Sequence, residues 1–189
     1  MTYQEILDKI LDSRDVTVGG GSASALAGAM AAGLAGMVAR LSAAKDYGLP
    51  PEECERVAAE LDALSATLLE GSAADAEAYG LIKAAYQIPR EDKQRRSDAI
   101  QAAAVRAADV PLSNGTACGR VRDLGQKLLG RSNPNAGSDL AVGIALARVG
   151  VAGCVANVRA NLGLIKAEDL KQDYERKIAT LELKGEESC

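Results

Sequence analysis

Residues 23–39 carry no charge and almost no side-chain bulk. Within them Ala27, Ala31, Ala35 and Ala39 recur every four residues, which on a helix makes one smooth ridge. Such a ridge lets another backbone approach closely and reads as a packing seam rather than a ligand surface. Little else in the chain could build a bulky core. Aromatic residues make up 3%, with no Phe and no Trp, while hydrophobic residues reach 48%. Strands favour β-branched and aromatic side chains, and no alternating stretch of useful length occurs. The expected fold is all-α: a bundle of long helices with small-residue packing, formed as one domain over residues 1–189.

Local signals place the helices. Thr2 and Glu5 are spaced as a capping box for a first helix, Tyr3–Leu11. A loop over 13–21 precedes a second helix over about 22–43. After a break at 45–49, Pro50-Pro51-Glu52-Glu53 restarts a helix with proline and acids in its first turn. Val57, Leu61, Leu64 and Leu68 give it an apolar stripe. Gly71-Ser72 predicts a kink or an interruption before a segment through Tyr86, and Ile88-Pro89 ends the element. Residues 90–108 read as helical, with the run Arg90-Glu91-Asp92-Lys93-Gln94-Arg95-Arg96 as a solvated start. Pro111 predicts a kink or a new helix, continued by Val121, Leu124 and Leu128. A polar loop over 130–137 leads to a second small-residue helix from Ser138-Asp139 to about Leu164. Leu170, Tyr174, Ile178 and Leu181 mark the last helix, and the tail from Gly185 is expected to fray.

The net charge of −4 gives no global attraction to nucleic acid or anionic lipid. The chain has no His, and Cys54, Cys118, Cys154 and Cys189 are far apart with no C-x-x-C, so no metal site is expected. Residues 1–15 are polar and amphipathic and do not read as a signal peptide. Reduced thiols and a cytoplasmic location are expected, with buried structural roles for Cys118 and Cys154. The apolar stretch at 23–39 is short of the ~20 residues a membrane span needs, and the one at 140–158 carries Arg148. Both read as buried helices, with no membrane partner.

Gly19-Gly20-Gly21-Ser22 leads straight into the first small-residue helix. It is not a P-loop, since no Gly-Lys-Ser/Thr follows, and no strand precedes it as a dinucleotide fingerprint requires. It is either a linker or an ordered ligand loop offering free backbone N–H groups; its place directly ahead of a packed helix favours the second. Ser138-Asp139 is either an N-cap pair or a carboxylate aimed into a cleft. Without His, proton transfer falls to a carboxylate, Lys or Tyr, and Asp139, Asp75, Lys45 and Tyr47 are the candidates. Asn157 and Asn161, one turn apart, either brace the structure or read a ligand's amide edge.

In their order and spacing these pieces resemble the cyclodeaminase/cyclohydrolase family of folate one-carbon metabolism. That family includes the C-terminal domain of formiminotransferase-cyclodeaminase and stand-alone methenyltetrahydrofolate cyclohydrolases. The matching segments are Gly19-Gly20-Gly21-Ser22-Ala23, Met37-Val38-Ala39-Arg40-Leu41-Ser42 with Lys45 and Tyr47, and Asp75-Ala76-Glu77-Ala78-Tyr79 with Gln87-Ile88-Pro89. Val110-Pro111-Leu112, Asn135-Ala136-Gly137-Ser138-Asp139 and Asn157-Val158-Arg159-Ala160-Asn161-Leu162 complete them. Val18 stands where the family usually has proline, so a less rigid approach to the glycines is expected. Neither a formiminotransferase domain nor a coupled bifunctional enzyme is expected.

The resemblance implies an all-helical homodimer with its folate site associated with the subunit interface and the small-residue seam near the dimer centre. It implies a tetrahydrofolate derivative as substrate, with no cofactor and no metal. The reaction implied is methenyltetrahydrofolate cyclohydrolysis. The alternatives are formiminotetrahydrofolate cyclodeamination and a non-catalytic helical scaffold. Asp139 is then the carboxylate that stabilises the cationic substrate or activates water, and Lys45 a proton donor or glutamate-tail anchor. The backbone of Gly19, Gly20, Gly21 and Ser22 holds the pterin or its bridge, and Tyr47 covers the ring. Ser138, Asn157 and Asn161 join them as substrate-binding residues.

Overall fold

The computed structural model describes residues 1–186, with side chains as far as Leu183. Cys189 lies outside the described residues. Among those described, every regular element is helical: α1 (Tyr3–Leu11), α2 (Gly20–Ser42), α3 (Pro51–Gln87), α4 (Lys93–Leu128), α5 (Gly137–Leu162) and α6 (Glu168–Glu186), with a single 3-10 turn at Pro134–Ala136. Gly185 is still helical at the end of α6, where a frayed tail is expected from sequence; 187–189 lie outside the described residues.

Helices α2 to α5 form a four-helix bundle. α2 packs on α3 and α5, and α4 closes the ring against the same two helices. α6 lies across α4 and α5, and α1 across α3 and α2. Gly20 lies against Asn157, and the backbone N–H of Asn133 donates to Ser42 Oγ at 2.8 Å, so α2 and α5 run antiparallel. Both helices are long and apolar enough to cross a membrane by length and composition, and both are central to this bundle.

The alanine ridge is the seam of the protomer itself. Ala27, Ala31, Ala35 and Ala39 are all buried within one chain. A Cβ on Gly143 of α5 would come within 3.3 Å of the Ala31 carbonyl, so the two backbones are nearly in contact. Within the protomer, α5 covers the ridge. Where α2, α4 and α5 meet, the Cys118 sulfur fills the space left by Gly28 and Gly150. Cys54, Cys118 and Cys154 are buried free thiols. A hydrogen bond with Cys118, reinforced by burial, pushes the Cys154 thiol far above its usual range, in keeping with a structural role.

Two expected helix breaks are absent. α3 runs unbroken through Gly71, where the bare backbone admits the Asn114 side chain of α4; a Cβ there would collide with it. The Asn114 amide donates to the Gly71 carbonyl at 3.1 Å. α4 likewise continues through Pro111. A proline cannot donate to the carbonyl four residues earlier, here that of Ala107. Asn161 of α5 donates to the Ala107 carbonyl instead, at 2.8 Å. The unmet hydrogen-bonding need inside α4 is satisfied by its neighbour, which removes one cost of keeping proline in the helix.

Candidate active site at the start of α2

α2 begins at Gly20, so Gly20 and Gly21 sit in the first helical turn rather than in a flexible loop. Gly19 is the N-cap in extended conformation, and no side chain of its own caps the helix. None of the three glycines has positive φ. What Gly21 provides is room: a Cβ would lie 2.6 Å from Asp75 Cγ. A Cβ at Gly20 would make ordinary contact with Asn157, and one at Gly19 would meet nothing.

Asp75 comes from the middle of α3 and caps α2 from outside. Ser22 Oγ donates to its Oδ2 at 2.9 Å, and the Ser22 backbone N–H also bonds to the carboxylate. These bonds and the positive end of the helix favour the ionised form. Burial opposes them and is larger, so the carboxyl sits above the ordinary carboxylate range. A half-buried carboxyl with a raised pKa, facing a cavity, is suited to take up and return a proton.

The cavity has a volume of about 280 Å³. Gly19, Gly20 and Gly21 form one wall, Asp75 and Tyr79 another, and Asn157 and Asn161 a third. The two asparagines first serve as braces. The Asn157 amide N–H donates to Gly153 at 2.8 Å; that of Asn161 donates to Ala107 and, at 3.0 Å, to Asn157. Their side-chain carbonyls are acceptors suited to a ligand's N–H groups.

The approach to the glycines is tied down without the proline. Val18 is buried with Ile6 and Ala76, which docks α1 on the loop. Asp15 accepts from the Thr17 backbone at 2.7 Å and from Lys9 at 3.0 Å. The Thr17 bonds come first in holding its carboxyl down to about 2, with Lys9 adding to them.

Residues 2–180 match the family model described as formiminotransferase-cyclodeaminase. This chain belongs to that family. It is 34% identical over 164 residues to a methenyltetrahydrofolate cyclohydrolase of Methylorubrum extorquens, covering 85% of this chain and 78% of that one. It is 31% identical over 177 residues to the formimidoyltransferase-cyclodeaminase of Sus scrofa, covering 89% of this chain but 32% of that larger protein. The fold matches the crystal structure of a formiminotetrahydrofolate cyclodeaminase from Thermotoga maritima with a TM-score of 0.85 and 25% identity, over 100% of this chain and 91% of that one.

This family member gathers Gly19, Gly20, Gly21, Ser22, Asn157 and Asn161 at one end of the bundle, with Asp75 among them. Asp139, Ser138, Lys45 and Tyr47 belong to the other end. α2 is 23 residues long, which separates its ends by about 34 Å. Ser138 is exposed and Asp139 half-buried in the first turn of α5. Neither caps the helix: the N-cap is Ala136, and the expected N-cap pair lies inside the first turn. Lys45 is exposed, its ammonium 4.8 Å from the centre of the Tyr47 ring. Within one protomer, then, the residues named from sequence form two groups.

The aromatic residue at the glycine cavity is Tyr79, one turn after Asp75, and sequence reasoning missed its place there. The signal was present. Asp75 and Tyr79 are four apart on one helix face amid small residues, while Glu77 points to solvent.

Proposed function

We propose that this chain is a methenyltetrahydrofolate cyclohydrolase, converting 5,10-methenyltetrahydrofolate and water to 10-formyltetrahydrofolate. The observation that carries the reading is the Asp75 carboxyl, half-buried and raised in pKa at a cavity that also offers backbone N–H groups and amide acceptors. The similarity to a cyclohydrolase over most of both chains supports it.

The bridging carbon of the substrate is part of a cationic amidinium. Ionised Asp75 stabilises that cation and takes a proton from the attacking water as the C–O bond forms. The adduct collapses as the C–N5 bond breaks, and N5 takes the proton back from Asp75. The remaining hydroxyl proton goes to solvent as the formyl carbonyl forms, so one proton is released per turnover. The Asn157 and Asn161 carbonyls accept from the substrate's pterin N–H groups, and Tyr79 flanks the ring.

The proposal includes a homodimer. Met30, Met37 and Leu41 of α2 and Val142 and Val149 of α5 are exposed on the outer face of the paired helices. Adjacent exposed apolar stripes of this kind are interface material. The glycine cavity holds a carboxylate but no ammonium or guanidinium among its lining residues. A two-fold axis lying in that face, perpendicular to the helices, sets each glycine cavity beside the partner's Asp139 and the partner's Lys45. The two groups of residues then complete one site across the interface.

Loss of methenyltetrahydrofolate absorbance above a buffer blank tests the activity; a rate equal to the blank rejects it. Cyclodeamination is the second reading, favoured by the match to the Thermotoga maritima structure. Ammonia release from 5-formiminotetrahydrofolate distinguishes it.

A further inference from the structure

One wall of the glycine cavity depends on a residue outside it. Asn161 is half-buried at that wall, and the NH2 group of its side chain is engaged twice. It donates to the Ala107 carbonyl of α4 at 2.8 Å and to the Asn157 carbonyl of α5 at 3.0 Å. An asparagine amide carries two donors on one arm and an acceptor on the other, in groups of nearly equal size. Which arm meets a ligand is decided by the surroundings. With both donors engaged by protein carbonyls, the side-chain oxygen is the arm left for the cavity.

The two carbonyls are not equivalent. That of Asn157 lies four residues before Asn161 in α5, so it already faces the Asn161 backbone N–H, as in any α-helix. That of Ala107 has no such partner, because the residue four further along α4 is Pro111. A proline ring inside a helix also crowds the carbonyl four residues back and turns it away from the axis. Here the freed carbonyl belongs to a residue that itself lines the cavity. Pro111 is buried in α4 and is not among the lining residues.

We infer that Pro111 is a positioning residue for the cavity. By leaving the Ala107 carbonyl to α5 it fixes Asn161 with its acceptor turned inward, so that the site selects a ligand edge presenting N–H groups. The inference rests on the proposed folate activity for the identity of that ligand, whose pterin carries such an edge. It also gives a proline in the middle of a 36-residue helix something to do. Alanine at this position would satisfy α4 from within. Asn161 would then be free to turn its amide over and offer donors where the ligand also has donors.

The test measures kcat and KM for 5,10-methenyltetrahydrofolate with Pro111→Ala, Asn161→Ala and the double variant. Alanine is the strongest helix former, so Pro111→Ala keeps the fold. It is expected to raise KM roughly tenfold, the worth of one hydrogen bond, with kcat changed by less than about twofold, because the pterin edge is bound alike in ground and transition states. The double variant is expected to match Asn161→Ala alone. Val110→Ala, which removes buried volume next to Pro111 without adding an N–H, is expected to leave KM unchanged. A wild-type KM in Pro111→Ala, effects that multiply in the double variant, or an equal rise in Val110→Ala overturns the inference while the folate activity stands. Hydrogen exchange of the Asn161 side-chain amide in isotope-labelled protein gives a readout independent of turnover. It should be slow in wild type and faster in Pro111→Ala, with the Asn157 amide unchanged as reference. If the wild type does not turn over the substrate but this difference is found, the folate reading falls and the role of Pro111 stands. Equal exchange in both proteins overturns that role.

Discussion

α2 and α5 are both small-residue helices, both begin without a side-chain cap of their own, and each begins near a carboxylate. At α2 the carboxylate is Asp75, delivered from α3, half-buried, and bonded to Ser22. At α5 it is Asp139, carried in the helix's own first turn and open to water on one side. The difference teaches where reactivity comes from in a chain without His. An acid brought in from another helix loses water before it gains partners, and that loss raises its pKa.

The sharpest way to break this comparison is Asp75→Asn. Turnover of methenyltetrahydrofolate is expected to fall by ~10²-fold or more, the usual contribution of an acid–base group. Stability should move the other way. The folded pKa of Asp75 is raised, so its neutral form is the stabilising one; that contribution is complete below the unfolded value near 3.8 and is lost as pH rises through the raised value. Asn stays neutral, so the variant should melt higher than wild type at neutral pH. In the wild type, the acid limb of the kcat/KM profile should lie above the ordinary carboxylate range and vanish in the variant. A variant that melts lower and stays active would make Asp75 a cap only.

Gly21→Ala comes next. Its Cβ displaces the Asp75 carboxyl from Ser22, and a misplacement on this scale costs roughly 10–100-fold in turnover. Gly19→Ala, which meets open space, should cost far less. Equal losses at both positions would show that the glycines act through the backbone rather than through room for Asp75.

The two ends can also be joined by experiment. Asp139→Asn alone should lower turnover if the partner's Asp139 completes the site. Mixing it with Asp75→Asn should then restore about a quarter of wild-type activity, because half the dimers are mixed and each mixed dimer has one intact site. No recovery on mixing, with both subunits exchanging, separates Asp139 from the site.

The smallest effect is at the brace. Asn161→Ala leaves the Ala107 carbonyl without its donor, at a cost of ~1–3 kcal/mol. In a chain of this size that lowers the melting temperature by about 2–4 °C per kcal/mol.

Much of the fold is legible in the sequence, because it is written locally. The capping box at Thr2 and Glu5 sets α1, and the paired prolines at 50 and 51 start α3. The uninterrupted helices at Gly71 and Pro111 share one cause: each residue breaks an isolated helix, and each is accommodated by an asparagine from a helix that local reading cannot see. The site divides in the same way. Gly19, Gly20, Gly21, Asn157 and Asn161 carry recognisable patterns and do line one cavity. Asp75 was one of four candidates for proton transfer, and nothing in the sequence placed it at the glycines until its 53-residue separation from Ser22 closed into a hydrogen bond. Asp139 stood out because it follows a loop and opens a helix, a position that marks exposure as readily as function.

The alanine ridge between α2 and α5 has one further consequence. A surface of methyl groups repeating every four residues looks the same after a slide of one turn, about 5.4 Å, so it attracts without specifying alignment. The Asn133 backbone N–H on Ser42 Oγ ties the entry of α5 to the end of α2 at a single position that a slide would miss. It acts as a locating pin between otherwise interchangeable rails.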